Sequence, residues 1–351
     1  MINVAIIGAG IGEKHLNGFL ELPDTFSVCY LCDLDEARGR GLLENLPEIR
    51  FTTNMADVLA DPEIDIVDIC LPPHLHFSSC IDALEAGKKV ICEKPLVASL
   101  READLLAEKV DETAGFLSPV FQYRFGLGTA QLNALIDAGL TGKLFAGTLE
   151  THWDRGDDYY KVPWRGTWEG EQGGAILGHA IHIHDLLSNL LGPIDRVFAD
   201  LATRVNDIEV EDCAALNIRM KSGALITSSV TLGCAENMSR MRLMFEGFTV
   251  ESDHEPYSIA NNAWKFIARE PTQQSDIQRV LADVGPVLSG YAGMFDALAR
   301  SLDGEDAPMV TLPDGRQSLE FVSAVYESCR TVMPVSMPLG PDNMLYNGWL
   351  P

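Results

Sequence analysis

Residues 1–12 read MINVAIIGAGIG, and this stretch decides the fold of the N-terminal half. The apolar segment Ile2–Ile7 predicts a buried strand, and three glycines follow it directly. Glycines between a strand and a helix let backbone N–H groups approach a pyrophosphate closely. The third glycine comes one residue earlier than in G-x-G-x-x-G, so the position after a first strand carries more weight than the match. The predicted dinucleotide-binding residues of this loop are Gly8, Gly10, Ile11 and Gly12.

Short apolar segments alternate with segments of helical periodicity up to about residue 120. The predicted strands are Ile2–Ile7, Phe26–Cys32, Ile64–Leu71 and Lys89–Cys92. The predicted helices are Glu13–Glu21, Asp35–Glu44, Leu75–Ala86 and Leu100–Glu112. Such alternation indicates βαβ units and a parallel sheet with the glycine loop at its edge.

Asp33 directly follows the second predicted strand, about 20 residues after the last glycine of the loop. A carboxylate at this point accepts hydrogen bonds from ribose hydroxyls and repels a 2′-phosphate, so we predict NAD as the cofactor. Arg38 and Arg40 lie nearby and suit a 2′-phosphate, which keeps NADP as the less favoured alternative. A second interpretation is that Asp33 only caps the following helix.

The sequence changes character after about residue 123, where strands alternate with short turns. The predicted strands are Arg196–Arg204, Asp212–Met220, Ala224–Thr231 and Met241–Phe245, and the predicted helices are Thr129–Ala138, Ala180–Leu191, Ile277–Leu302 and Gly315–Arg330. This pattern favours a largely antiparallel sheet. We predict an α/β protein with two domains, a Rossmann domain at 1–122 and a substrate-binding and oligomerisation domain at 123–351.

The composition excludes several classes of partner. The chain has 351 residues and a net charge of −25, so it should repel nucleic acid and anionic membranes. No apolar run approaches the roughly 18 residues of a membrane span, and the N-terminus lacks the basic region of a signal peptide. We therefore expect a cytoplasmic protein.

The eight cysteines lie mostly in apolar segments, as reduced core cysteines do. Cys29 and Cys32 have the spacing of a CxxC motif, but no second pair lies nearby and a structural zinc site needs four ligands. We expect no metal.

Three further stretches combine in a specific order. They are VDICLPPHLH at 67–76, GKKVICEKPL at 87–96 and QGGAILGHAIHIHD at 172–185. With Tyr123-Arg124-Phe125, Trp164-Arg165-Gly166 and Tyr326-Glu327-Ser328, they make the chain resemble the glucose–fructose oxidoreductase / inositol dehydrogenase / rhizopine-catabolism family, Gfo/Idh/MocA, over nearly its whole length.

The resemblance implies a Rossmann domain followed by an α/β domain with an open, mostly antiparallel sheet. It implies hydride transfer between nicotinamide and a hydroxyl-bearing carbon, usually of a sugar or cyclitol. It also implies a homodimer or homotetramer formed through the C-terminal sheet, and a Lys-Pro peptide that is often cis.

Lys94 stands where a strand ends at the ligand-binding edge of a parallel sheet. A partly buried amine suits proton transfer from an alcohol, because desolvation lowers its pKa towards neutrality. We predict Lys94 as a catalytic acid–base residue, and His182 matches the family's catalytic histidine. The remaining predicted cofactor-binding residues near the nicotinamide are Leu71, Pro72, His76 and Glu93, with Lys94 itself.

The predicted substrate-binding residues lie in or before the second domain and are Tyr123, Tyr160, Arg165, His179 and Asp185. Aromatic faces stack on sugar rings, and arginines clamp hydroxyls or carboxylates. On a helix that begins near Gly178, positions 179, 182 and 185 share one face, whereas His184 lies well around it and suits a structural role.

Gly178 departs from the family pattern, because many members carry an aspartate four residues before the catalytic histidine. This gap leaves two alternatives beside the dehydrogenase. One is a redox-neutral glycosidase or epimerase that retains its NAD, and the other is a ligand-sensing regulator without catalysis.

Overall fold

The computed structural model describes residues 1–351, which form two compact units. The first unit comprises Met1–Val120 and Tyr291–Leu319, and the second comprises Phe121–Gly290 and Glu320–Pro351. The predicted division after residue 122 differs from this arrangement, because the later segment Tyr291–Leu319 returns to the first unit.

The first unit is built on a six-stranded parallel sheet of order β3-β2-β1-β4-β5-β6. Its strands are β1 (Ile2–Ile7), β2 (Phe26–Cys32), β3 (Arg50–Thr52), β4 (Ile66–Ile69), β5 (Lys89–Cys92) and β6 (Leu117–Pro119). The helices between them are α1 (Gly12–Leu20), α2 (Glu36–Leu42), α3 (Met55–Leu59), α4 (His76–Glu85) and α5 (Leu100–Thr113). The predicted Rossmann fold is confirmed.

The central strands of this sheet are buried on both faces, which explains their continuous apolar sequences. Helix α5 begins at a capping residue, since Ser99 Oγ accepts the N–H of Glu102 at 3.1 Å. The short elements β3, α3 and β6 were not predicted, because segments of three to five residues show too little periodicity.

A late helix completes the first unit. This helix is α10 in chain order and spans Gly290–Leu302. The ring of Phe295 on α10 stacks on Phe19 of α1, with centroids 3.8 Å apart. No local sequence pattern reports such a contact between distant segments, which is why the return of this segment was not predicted.

The second unit contains an eight-stranded sheet of order β13-β12-β11-β7-β10-β9-β8-β14, in which only β7 and β10 pair in parallel. The strands are β7 (Leu144–Asp154), β8 (Ile194–Ala202), β9 (Cys213–Met220), β10 (Leu225–Thr231), β11 (Gly233–Phe245), β12 (Phe248–Glu251), β13 (Lys265–Ala268) and β14 (Val335–Ser336). The remaining helices are α6 (Leu127–Asp137), α7 (Asp157–Tyr160), α8 (Ile181–Leu191), α9 (Gln274–Ala282) and α11 (Leu312–Thr331), and the last of these belongs to the first unit up to Leu319 and to the second from Glu320. The mostly antiparallel sheet is confirmed.

Two predictions in this half differ from the structure. The helix predicted over Ile277–Leu302 is two helices, α9 and α10, because Gly285-Pro286 cannot continue a helix. Strand β7 was not predicted, because its buried face includes Gly147 and Thr151 and so lacks a clear apolar alternation. None of the helices combines the length and the apolar composition that a membrane span requires.

Candidate active site

The glycine loop leaves β1 at the carboxyl edge of the parallel sheet. Gly8 has φ +106°, and a Cβ there would overlap the carbonyl oxygen of Cys70, so only glycine fits. A Cβ at Gly10 would meet nothing within 4 Å, so the backbone is open to a ligand at this position. Ile11 and Gly12 form the N-terminus of α1. An exposed turn before a helix N-terminus fits the pyrophosphate of a dinucleotide.

Asp33 lies beside this loop at the end of β2. Its Oδ2 accepts the N–H of Ala9 at 2.5 Å, and its Oδ1 accepts the N–H of Asp35 at 2.7 Å. The cap of helix α2 is Asp35, whose side chain accepts the N–H of Arg38 at 3.0 Å. Both oxygens of Asp33 thus accept backbone N–H groups, which hold the carboxylate beside the glycine loop.

The two arginines that suited a 2′-phosphate pair with local acids. Arg38 lies 3.7 Å from Asp35, and Arg40 lies 2.8 Å from Glu36. The carboxylates of Asp33, Asp35 and Glu36 give the end of β2 a negative charge that repels a 2′-phosphate. This agrees with the prediction of NAD over NADP.

His76 joins two of the loops at this edge. Its Nδ1 lies 2.7 Å from the carbonyl oxygen of Pro95, and its Nε2 lies 2.8 Å from that of Leu71. Burial lowers the pKa of His76, although both carbonyls act in the opposite direction. Pro72 directly precedes the short 3₁₀ turn Pro73–Leu75, which leads into α4. His76 thus links the loop after β4, which carries Leu71 and Pro72, to the loop after β5.

Glu93 and Lys94 follow β5. The Oε2 of Glu93 accepts the backbone N–H of Lys94 at 2.9 Å, so the buried carboxylate fixes the backbone from which the lysine extends. Lys94 itself is half-buried, and the Lys94–Pro95 peptide is cis, as the resemblance implied.

His15 was not among the predicted site residues. It is fully buried in α1, with Nδ1 at 2.8 Å from Asp68 Oδ2 and Nε2 at 3.0 Å from Glu93 Oε1. Burial lowers its pKa, but the charges and hydrogen bonds of Asp68 and Cys70 outweigh burial and raise it well above the usual value. An imidazolium donates from both nitrogens, so His15 links the acid of β4 to the acid that holds Lys94.

His15, Asp68 and Cys70 also place three candidate metal-ligand atoms within 4.8 Å of one another. A metal-binding histidine must offer a lone pair, whereas both ring nitrogens of His15 face carboxylates. We therefore assign the cluster to hydrogen bonding. Its one signal in the sequence was Asp68, an acid inside the apolar strand β4.

The second unit holds His182 on a helix with an irregular start. A π-helical turn, Ile176–Ala180, leads into α8, and such turns are frequent at functional sites. The ring of Tyr123 stacks on His182 with centroids 4.8 Å apart. His179 contacts the rings of Trp153 and Tyr159 at 5.3 and 5.8 Å. Both histidines are buried.

The Gly173-Gly174 pair positions this helix. A Cβ at Gly174 would overlap the carbonyl oxygen of Glu211, so glycine permits the close approach. Glu211 also accepts the N–H of Ile176 at 3.0 Å and the hydroxyl of Tyr326 at 3.0 Å. Burial raises the pKa of Glu211 to about 7. The Gly-Gly motif and Tyr326 therefore both contact Glu211, which fixes the start of the helix.

Asp185 lies one turn after His182. Both of its oxygens accept hydrogen bonds from Arg124, at 2.6 and 2.8 Å, and both side chains are buried. A substrate would meet an arginine–carboxylate pair here rather than a carboxylate alone. His184 bonds Ser228 at 2.9 Å, and burial lowers its pKa to about 3, which suits its predicted structural role.

The other predicted substrate residues belong to an aromatic cluster. The Arg165 guanidinium lies 3.9 Å from the centroid of Tyr159, whose ring contacts Tyr160 at 5.0 Å. Arg155 lies 5.1 Å from the same Tyr159 centroid and bonds the Tyr257 hydroxyl at 2.8 Å. The Nε atoms of both arginines are buried without a hydrogen-bond partner, so both side chains suit polar or anionic groups of a ligand.

Comparisons with known proteins match both units. Residues 2–121 match the model of an oxidoreductase family with an NAD-binding Rossmann fold, Gfo/Idh/MocA, and residues 129–250 match a Gfo/Idh/MocA C-terminal domain. The levoglucosan dehydrogenase of Pseudarthrobacter phenanthrenivorans is 30% identical over 58% of this chain and 54% of its own length. The myo-inositol 2-dehydrogenase of Thermotoga maritima is 28% identical over 64% of this chain and 66% of its own length.

The chain thus spans about half the length of the first of these curated relatives. A crystal structure of the WlbA dehydrogenase from Bordetella pertussis, in complex with NADH and UDP-GlcNAcA, superposes with a TM-score of 0.83. It is 26% identical and covers 97% of this chain and 99% of its own.

Proposed function

Because the chain belongs to the Gfo/Idh/MocA family of NAD-binding oxidoreductases, we propose that it transfers a hydride between NAD and a hydroxyl-bearing carbon of a sugar, cyclitol or sugar derivative. The observation that carries the proposal is the carboxyl edge of the parallel sheet. There the open glycine loop, Asp33 and the Glu93-anchored Lys94 follow three strands of one sheet.

The bound cofactor supplies the hydride acceptor, and the chain supplies the binding and the proton transfer. We assign the acid–base chemistry to Lys94 and His182, one of which accepts the single hydroxyl proton while the hydride leaves the carbon. Lys94 is supported by its half-buried position on a fixed backbone, and His182 by its buried ring stacked on Tyr123. Substrate contacts are assigned to Tyr123, Tyr160, Arg165 and His179, and to Asp185 through its pair with Arg124.

The substrate class is inferred from relatives and from the site together. The curated relatives are named for levoglucosan and myo-inositol, and the WlbA complex holds a nucleotide sugar. All three compounds are rings with several hydroxyls. The cluster of tyrosines, tryptophans and arginines in the second unit offers the stacking faces and donors that such rings use.

We expect purified protein to form NADH, followed at 340 nm, with at least one member of a panel of aldoses, cyclitols, anhydrosugars and sugar acids. The rate with NADP should be at least about tenfold lower, because Asp33 repels a 2′-phosphate. A substrate that is epimerised or cleaved without net NADH would instead support the redox-neutral alternative. Tight NADH binding with no conversion of any panel member would support the sensing alternative.

We also propose that the chain forms a homo-oligomer through the eight-stranded sheet. Along β9 and β10 every second residue is exposed, including Ala215, Asn217, Thr227 and Ser229, so one face of this sheet is uncovered in the single chain. Light scattering at micromolar concentration should give at least twice the protomer mass of 38.4 kDa. A stable mass of one protomer would contradict the proposal.

A further inference from the structure

We propose that Glu171 supplies the carboxylate partner of His182, at the place where the helix carries no acid because residue 178 is glycine. The inference deepens the proposed function and rests on the assignment of His182 as a proton-transfer residue. It concerns only residues of the second unit.

The carboxylate of Glu171 points at position 178. A Cβ built on Gly178 would have one neighbour within 4 Å outside its own helix, and this neighbour is Glu171 Oε1 at 3.6 Å. Gly178 needs no unusual backbone angle, since its φ is not among the positive values of the chain. The absent side chain therefore leaves a space that the carboxylate of Glu171 approaches.

Glu171 is held rigidly in this position. The residue is 6% exposed, and its Oε2 accepts the N–H of Gly166 at 2.6 Å. Its own N–H donates to the carbonyl oxygen of Thr167 at 3.0 Å, which fixes the backbone as well. With one oxygen anchored to the backbone, the other is directed towards the helix that carries the two histidines.

Neighbouring groups respond to this carboxylate. Burial and then the charge of Glu171 raise the pKa of Tyr159 to about 12, whereas Arg165 and Arg155 act in the opposite direction. Burial and Glu171 likewise raise the pKa of Tyr160. The negative charge thus lies within the aromatic cluster that contacts His179.

Positions 178 and 182 are one helical turn apart, so their side chains occupy neighbouring places on one face. A carboxylate beside position 178 is therefore placed to orient the imidazole of His182. It also stabilises the imidazolium that forms when His182 takes a proton. Glu171 is a positioning residue in this account, since it acts through His182.

The test uses the full chain and measures the titration of His182 by NMR with ¹⁵N-labelled histidine, assigned with His182→Asn. In Glu171→Gln, which can still accept the Gly166 N–H, the pKa of His182 should fall by about 1 pH unit. In the double variant Glu171→Gln/Gly178→Asp, the new carboxylate should restore it. Glu169→Gln, an exposed neighbour, is the control and should leave it unchanged.

Turnover of the best panel substrate is the second readout. Glu171→Gln should lower kcat about 10²-fold with unchanged NADH affinity, and the double variant should recover most of the loss. If Glu171→Gln does not fold, Glu171→Asp, which shortens the side chain by one methylene and withdraws its carboxylate from position 178, should also lower the pKa of His182.

An unmoved His182 titration in the folded variants would overturn the inference, whatever the rates. Suppose that Glu171→Gln lowers the pKa of His182 relative to wild type, but that the wild-type protein converts no panel substrate. This result would support the role of Glu171 beside His182 and count against the proposed function. The two failures are therefore distinguishable.

Discussion

Replacing Lys94 with methionine should lower kcat by about 10²- to 10⁴-fold, the usual contribution of a positioned acid–base group. Methionine keeps an unbranched side chain that extends as far as Cε and removes the amine. The backbone should stay in place, because Glu93 accepts the backbone N–H of Lys94, which the substitution keeps. NADH affinity, measured by fluorescence titration, should therefore change much less than kcat. Comparison of the two values separates a defect in cofactor binding from a defect in proton transfer.

The matched control is Lys89→Met, at the exposed opposite end of the same strand β5. This variant removes the same charge from the same element and should keep wild-type kinetics. A Lys94→Met enzyme with full turnover and normal cofactor binding would show that another group takes the hydroxyl proton.

His15→Leu should lower the free energy of unfolding by about 3–5 kcal/mol, measured by urea denaturation at pH 6. The substitution removes the imidazole that both Asp68 and Glu93 contact. The two carboxylates would then be buried without the cation between them. Breaking a buried pair by removal of one member costs far more than the pair itself is worth. His254→Leu, an exposed histidine 3.2 Å from Glu251, is the control and should change stability by about 0.5 kcal/mol at most.

The same histidine predicts a pH dependence. Its pKa is raised in the folded chain, so its stabilisation is complete below the unfolded value of about 6.5 and is lost as pH rises through the folded value. The difference in stability between wild type and His15→Leu should therefore shrink from pH 6 towards alkaline pH. A difference that is constant with pH, or below about 1 kcal/mol, would contradict a protonated His15.

The nucleotide half of the fold followed from local pattern. The loop after β1 was found from its glycines, and the structure gives Gly8 a physical reason in its positive φ and its contact with Cys70. Asp33 was found because a strand end and a single acid are visible in sequence. The motif around Lys94 was found because polar residues follow an apolar segment directly. Burial of charged side chains costs free energy, so their presence at the end of a buried strand indicates a functional site.

What the sequence did not reveal depends on contacts between distant segments. His15 and Glu93 are separated by 78 residues, and no pattern in α1 shows that its histidine lies between two acids. The gap at Gly178 was visible, but the carboxylate that faces it belongs to an irregular segment without periodicity. The return of Tyr291–Leu319 to the first unit likewise rests on packing against Phe19 and His15.

The most direct test of the central claim follows one hydrogen atom. The panel substrate with the highest kcat/KM is prepared with deuterium on its reacting carbon and incubated with the protein and NAD. We predict one deuterium on the nicotinamide ring for each NADH formed, measured by mass spectrometry, and almost none with Lys94→Met in the same time. Unlabelled NADH, or label lost to water while the nicotinamide stays unlabelled, would contradict hydride transfer by this protein.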